Sequence, residues 1–172
     1  MGRKWAGLLD LVFPRMCEVC GGRLQQEKGH LCWDCLAKLR YVQPPYCSLC
    51  GDPIAGRVDV AFTCWQCSRE KPHFVRARSA ARYDGPLKDL LRQFKYRNSL
   101  FLRRDLVDIL YSCASIMEDV ECVDAVTYVP LYPSRQRERT YNQAELLAEA
   151  LAKCLRKPLI GRILRRTKPT PS

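Results

Sequence analysis

No apolar run in this sequence is long enough to cross a bilayer, and acidic residues are scarce. The apolar side chains near the start (Trp5, Leu8, Leu9, Leu11, Val12, Phe13) are interrupted by Asp10. They fall well short of the roughly 20 residues a spanning helix requires. No small-residue cleavage site follows, which argues against a secretory signal. Ala6 stands where myristoylation expects Ser or Thr, which argues against an N-terminal acyl chain. Residues 1–14 therefore read as a short amphipathic lead-in helix packed on the rest of the protein. The shortage of acid is marked: 18 Asp and Glu stand against 29 Lys and Arg, a formal charge of +11. Such an excess favours polyanionic partners, nucleic acid or phosphorylated small molecules, and it serves solubility equally well.

Cysteine is abundant and ordered. Four Cys-x-x-Cys pairs fall in the first 67 residues: Cys17/Cys20, Cys32/Cys35, Cys47/Cys50 and Cys64/Cys67. They form a repeat, in which a Cys-x-x-Cys-Gly knuckle is followed by Cys-Trp-x-Cys, with 11 or 13 residues between the second and third cysteines of each unit. Eight thiols so spaced make two tetrahedral sets for structural zinc, and the repeat reads as two zinc ribbons over 15–70. Gly21 and Gly51, just after the second sulfur of each first knuckle, supply the positive φ that such a turn needs. Pairing of the first knuckle with the second, and the third with the fourth, follows the repeat; a cross-braced pairing of first with third fits the spacing too. Two Zn(Cys)4 centres, each carrying −2, leave the metallated chain near +7. Thiolate zinc also suits a reducing compartment, so a cytoplasmic location is expected. Trp33 and Trp65 lie inside the knuckles, where packing around the metal is the expected role and stacking on nucleic-acid bases the alternative.

Beyond Cys67 the character changes. Residues 76–83 suit a short strand. Pro86 suits the first turn of a helix whose buried face is Leu87, Leu90, Leu91 and Phe94. A second helix follows Asn98-Ser99, with Leu106, Leu110, Cys113 and Met117 at helical spacing. Residues 123–129 read as a buried strand ended by Pro130, and 135–141 as a basic loop. Asn142, with Glu145 three residues on, is a capping-box variant for a helix that buries Leu147, Leu151 and Leu155 and stops before Pro158. Alternation of strand and helix predicts an α/β layer with a largely parallel sheet over 74–172. Cys113, Cys122 and Cys154 offer no fifth metal pair.

The order of motifs resembles a known family. Phe13-Pro14-x-x-Cys17-x-x-Cys20 is followed by Tyr83-x-Gly85, Phe94-Lys95-Tyr96, Tyr128-Val129-Pro130-Leu131 and Arg139-Thr140-Tyr141-Asn142-Gln143-Ala144. Nearly the whole chain is similar to the ComF family, in which a double zinc ribbon precedes a phosphoribosyltransferase-like domain. That family usually has Arg-Gly-Phe-Asn-Gln where this chain has Arg139 to Gln143, so Thr140 and Tyr141 are departures. The resemblance implies a part in natural competence: handling of incoming single-stranded DNA with a helicase-like partner. It also places 130–142 at the pyrophosphate-binding loop, with Arg135, Arg137, Arg139 and Asn142 as candidate phosphate contacts. Guanidinium forks and a helix N-terminus suit phosphate oxygens. Lys95 joins these candidates, though a solvated lysine favoured by a helix C-terminus reads as well.

One family element is missing. A phosphoribosyltransferase of this class holds ribose phosphate with two acidic residues that close an apolar strand, followed by a Thr/Gly-rich loop. No Asp-Asp or Asp-Glu pair closes an apolar run here: Glu118-Asp119 precedes a strand, and Asp124 has no such loop behind it. The expectation is the first part only of a transferase-like sheet, with exposed Leu and Val side chains. Catalysis and phosphoribosyl pyrophosphate binding are not expected of this chain alone, and Mg2+ would belong only to a further half. An amidophosphoribosyltransferase-like enzyme whose catalytic half lies elsewhere is the alternative.

Overall fold

The computed structural model describes residues 14–56, 60–117, 120–138 and 141–168. The lead-in helix expected over 1–14 lies outside the described residues except for Pro14, and Glu118, Asp119, Arg139 and Thr140 lie outside them too. The elements are α1 (Trp33–Ala37), α2 (Trp65–Arg69), α3 (Gly85–Tyr96), a 3-10 turn (Leu100–Leu102), α4 (Arg103–Ala114), α5 (Pro133–Glu138) and α6 (Gln143–Leu155).

The two ribbons repeat one local design. A hairpin-like first knuckle is closed by an antiparallel bridge, Met16 to Arg23 in one and Tyr46 to Pro53 in the other. The second knuckle opens a five-residue helix, α1 or α2, with Cys32 or Cys64 at its N-cap. Helices this short do not form alone, because nucleation consumes most of what their hydrogen bonds return. Binding of their cysteines in a common site is what holds them.

The core joins the first ribbon to the helices behind it. Cys17, Leu31, Cys32, Cys35 and Leu39 pack with Leu87, Leu90, Phe94, Leu102, Leu106 and Ile109 in one buried cluster. On α3 the face read from the sequence is the buried one, with Leu87, Leu90 and Phe94 inside and Leu91 half-buried against them. On α4 the face is turned. Leu106, Val107 and Ile109 are buried, together with Asp105, while Leu110, Cys113 and Met117 are only half-buried. The reason is the 3-10 turn before α4, which drops Leu102 into the core and sets the register of the next two turns. On α6 the buried residues are Gln143 at its start and Ala148 and Ala152 along its face, with Leu147, Leu151 and Leu155 half-buried beside them. Small residues four apart let α6 lie close on α4, its main neighbour.

Among the described residues the predicted parallel sheet is not built. Strand pairing among them is limited to isolated bridges, of which Val126 to Leu159 is the parallel one. That bridge joins the chain before α5 and α6 to the chain after them, through Val126 N–H to the Pro158 carbonyl and Ile160 N–H to the Val126 carbonyl, each 2.9 Å. Pro130 and Pro158 have no N–H to lengthen the ladder. Residues 123–129 are correspondingly not buried, and Val123 and Val129 are exposed. The segment 76–83 pairs instead with the linker between the ribbons, through a bridge from Tyr41 to Ala81. The expected basic loop over 135–141 is in part helix, since Pro133 starts α5. Among the described residues no helix is long and apolar enough to cross a membrane.

Candidate functional site

The eight paired cysteines come together as two sets of four: Cys17, Cys20, Cys32 and Cys35, and Cys47, Cys50, Cys64 and Cys67. Pairing is therefore sequential, and the cross-braced arrangement is excluded. Within each set the sulfurs lie within 4.8 Å of one another. Cys20 Sγ and Cys32 Sγ are 3.5 Å apart, and Cys50 Sγ and Cys64 Sγ 3.7 Å. Zinc–sulfur bonds of about 2.3 Å in a tetrahedron place sulfurs about 3.8 Å apart, so the cages fit that ion. Backbone amides complete them. Cys32 N–H donates to Cys17 Sγ and Cys64 N–H to Cys47 Sγ, both 3.3 Å, and Gly22 N–H donates to Cys20 Sγ at 3.4 Å. Gly21 (φ 68°) and Gly51 (φ 72°) have the left-handed conformation predicted for them.

The electrostatics of the two cages match. Burial pushes the Cys17 thiol up, but the amides of Cys20, Cys32 and Val19 outweigh it and bring it down to about 6. At Cys47 burial is likewise outweighed by the amides of Cys64, Cys50 and Leu49, again to about 6. Burial and the neighbouring sulfurs push Cys35 well above the ordinary thiol range and Cys67 to about 12. Each set thus holds one ready thiolate and two raised thiols, Cys20 and Cys35 or Cys50 and Cys67, that keep their protons until a divalent cation displaces them.

Trp33 and Trp65 do not pack on the metal sites. They are 61% and 72% exposed, the reverse of the expected role. Each occupies the first position of its short helix, between two cysteines three apart that take the inner face, so the ring is turned outward. The Arg69 guanidinium lies over Trp65, 5.2 Å from the ring centroid.

Among the described candidate phosphate contacts, Asn142 lines a cleft in which Arg135, Arg137 and Lys95 take no part. Arg135 and Arg137 lie two apart on α5, on different sides of the helix. Arg139 lies outside the described residues, and Lys95 is exposed near the end of α3. Asn142 is buried and caps α6, its Oδ1 accepting from Ala144 N–H at 3.0 Å. The capping-box partner behaves otherwise than expected: Glu145 accepts the Tyr128 hydroxyl at 2.7 Å, which raises that phenol, with burial adding to the effect. The departure Tyr141 has a clear use, since its hydroxyl donates to the Phe94 carbonyl and its ring packs against Phe94. Gln143 Nε2 reaches the neighbouring Lys95 carbonyl at 3.4 Å. Together they satisfy carbonyls that the end of α3 leaves open.

Asn142 and Glu145 do line a cleft of about 410 Å3 with Tyr128, Gln136, Arg162 and Arg165. The two arginines were missed by motif reading. Their signal is a run without acid: after Glu149 the chain carries Lys153, Arg156, Lys157, Arg162, Arg165, Arg166 and Lys168. Also missed was Asp105. Its buried carboxylate accepts His30 N–H at 2.7 Å and contacts His30 Nδ1 at 2.8 Å, locking the first ribbon to α4.

Two four-sulfur cages, each split between a glycine knuckle and a short helix, define a tandem zinc-ribbon protein. Residues 8–72 match the double zinc ribbon domain family. Over most of its length the chain is similar to Competence protein F of Haemophilus influenzae, 32% identical over 161 residues that cover 92% of this chain and 68% of that protein. It belongs to the ComF family, and its two sites are those of two structural zinc ions. It is 29% identical to Competence protein ComFC of Bacillus subtilis over 87% of this chain and 67% of the relative. It is 27% identical to the DNA utilization protein YhgH of Escherichia coli over 93% and 70%. The chain thus spans about two thirds of the length of these relatives. No solved structure matches it.

Proposed function

We propose that this chain is a zinc-stabilised module that contacts single-stranded DNA during natural transformation, with the eight cysteines of the two cages as zinc ligands. The observation that carries this reading is the outward display of Trp33 and Trp65 at equivalent positions of the two ribbons. A ring so placed contributes little to the fold, whereas flat aromatic surface beside cationic groups is what unpaired bases stack on. The formal charge of +11 supplies attraction for phosphates. The names of the relatives, competence and DNA utilization proteins, support the same reading. A helicase-like partner, implied by the family resemblance, fits a protein that holds a strand rather than cuts or joins it. Thiolate zinc sites suit a reducing compartment such as the cytoplasm. No bond-making step is assigned to these residues.

The test is fluorescence anisotropy with a labelled oligo(dT), as a function of salt and with a zinc chelator. Affinity should fall steeply with salt and be lost with the metal. Binding that survives zinc removal would leave charge alone as its cause, and no binding at low salt would refute the reading.

A second reading, a phosphoribosyltransferase-like domain over 74–172 in which the residues around Asn142 face the pyrophosphate of phosphoribosyl pyrophosphate, is favoured by one observation. The cleft at the start of α6 gathers Arg162 and Arg165 beside Asn142, after a parallel bridge that joins the chain across that helix. Calorimetric titration with phosphoribosyl pyrophosphate, with and without Mg2+, tests it. For this chain by itself the expected binding is weak or none.

A further inference from the structure

An open groove of about 750 Å3 runs between the first knuckle and α3. Its walls carry Tyr83, Tyr96, Arg92, Arg97, Glu18 and Asp89. We propose that this groove is a path for single-stranded nucleic acid, with Tyr83 and Tyr96 stacking on bases and Arg92 and Arg97 contacting phosphates. The inference rests on the nucleic-acid reading above and extends the strand's path from the knuckles onto α3.

The placement follows from the helix. Asp89, Arg92 and Tyr96 recur at steps of three and four, so they form one stripe beside the buried stripe of Leu87, Leu90 and Phe94. Tyr83 stands just before the helix and Tyr96 is its last residue, so the rings mark the two ends of an element about 18 Å long. Tyr83 and Tyr96 are 57% and 68% exposed. Among the described residues neither the Arg92 nor the Arg97 guanidinium has an acidic partner. Guanidiniums interleaved with aromatic rings along one groove are the recurring arrangement for unpaired strands, because every base has a face to stack and every nucleotide a phosphate.

The wall is also fixed. Gln93 donates its side-chain amide to the Glu18 carbonyl, tying α3 to the knuckle, while Tyr141 and Gln143 hold the last carbonyls of the helix from behind. Glu18 and Asp89 set the polarity of the groove. Glu18, on the knuckle wall, repels phosphates and so confines the backbone to the α3 wall, and the oxygens of both carboxylates accept hydrogen bonds from base amino groups. A duplex, with stacked bases and two phosphate rows, does not meet these demands.

The experiment uses the zinc-loaded chain and a fluorescein-labelled oligo(dT) of about 20 nucleotides, with anisotropy as the readout. Tyr83→Ala and Tyr96→Ala should each weaken binding about tenfold, and Tyr→Phe at either position should restore it. Arg92→Gln and Arg97→Gln should each lower the slope of log affinity against log salt by about 0.7. A zinc content equal to that of the unaltered chain verifies each variant's fold. If the unaltered chain binds no oligonucleotide, the nucleic-acid reading fails and the groove with it. If Trp33→Ala and Trp65→Ala weaken binding while the tyrosine variants do not, the reading stands and the groove is overturned. Equal affinity for a duplex of the same length also overturns it. A measurement free of variants is nitration of Tyr83 and Tyr96 by tetranitromethane, which bound oligo(dT) should suppress; unchanged nitration refutes the groove.

Discussion

The two ribbons arise from one repeated motif and end in different surroundings. The first contributes five buried residues, Cys17, Leu31, Cys32, Cys35 and Leu39, to the core that α3 and α4 complete. Among the described residues the second contributes none to that cluster. It is held by backbone and polar contacts: Ala77 N–H donates to the Leu49 carbonyl at 2.7 Å, and Arg78 reaches the Ser48 carbonyl at 3.1 Å. It exposes Val60, Phe62 and Trp65. A unit this small cannot bury enough apolar surface to fold alone, so in the second ribbon the metal replaces a core. In the first, metal and core are the same object seen from two sides.

The largest expected effect separates the two. Cys35→Ser should cost one zinc and, through the shared core, most of the helical circular dichroism as well. Cys67→Ser should cost one zinc and leave the helical signal close to that of the unaltered chain. Structural zinc is worth about 10–16 kcal/mol in isolated fingers, more than the whole stability of most domains. Equal loss of helix in both variants would show that the second ribbon is not independent of the core.

Acid should act on both cages alike, because the causes of their thiol shifts lie within each knuckle pair. Near neutral pH Cys17 and Cys47 are already thiolates, while Cys20 and Cys35, and Cys50 and Cys67, remain protonated. Zinc must therefore displace at least two protons per site, so affinity should fall by about 100-fold or more for each pH unit lowered, and more steeply below about 6. For the metal-free fold the signs are opposed. The lowered thiols stabilise it above their ordinary range, an effect lost as pH falls through about 6; the raised ones stabilise it below that range, an effect lost as pH rises. A chelator competition between pH 5.5 and 8 would measure both sites, and a slope confined to one of them would contradict a local origin.

The knuckle glycines give a smaller and unequal pair. A Cβ on Gly21 meets nothing within 4 Å, so Gly21→Ala should cost only the left-handed strain, about 1–2 kcal/mol. A Cβ on Gly51 would lie 2.6 Å from the Ala77 carbonyl oxygen, which is backbone and cannot swing aside. Gly51→Ala should cost about 3 kcal/mol or more, read as weakened binding of the second zinc.

Much of this was legible in the sequence where one residue type has one use. Cysteine pairs with glycine behind them reported the metal sites, their number and their ligands, and the spacing of Leu87, Leu90 and Phe94 reported the face of α3. What escaped depended on partners distant in the chain. Nothing near Asp105 says that it will meet His30, 75 residues earlier, and nothing near Trp33 says that two flanking cysteines will take the inner face. Residues 123–129 read as a buried strand because their composition suits one, yet burial needs neighbours on both sides, and the described residues supply a single bridge. Arg162 and Arg165 belong to no motif and reach the cleft beside Asn142 only through the turn after Leu159.

The smallest effect concerns the clamp that stands in for a core. Arg78 donates to the Ala77 carbonyl at 2.7 Å and to the Ser48 carbonyl at 3.1 Å, and its guanidinium stacks 4.6 Å from the centroid of Tyr46. The first ribbon has an arginine in a related role, Arg15, whose guanidinium holds the Gly29 carbonyl at 2.7 Å, but that loop is also pinned by Asp105 on His30. A lysine at either position keeps the charge and loses the planar fork, which alone can serve several carbonyls and a ring together. Arg78→Lys should therefore weaken the second zinc site by about 1 kcal/mol, roughly fivefold in affinity, while Arg15→Lys should leave the first within a few tenths. The asymmetry matters more than either value. If both substitutions cost the same, the first ribbon leans on its arginine as much as the second, and burial in the core is not what distinguishes them.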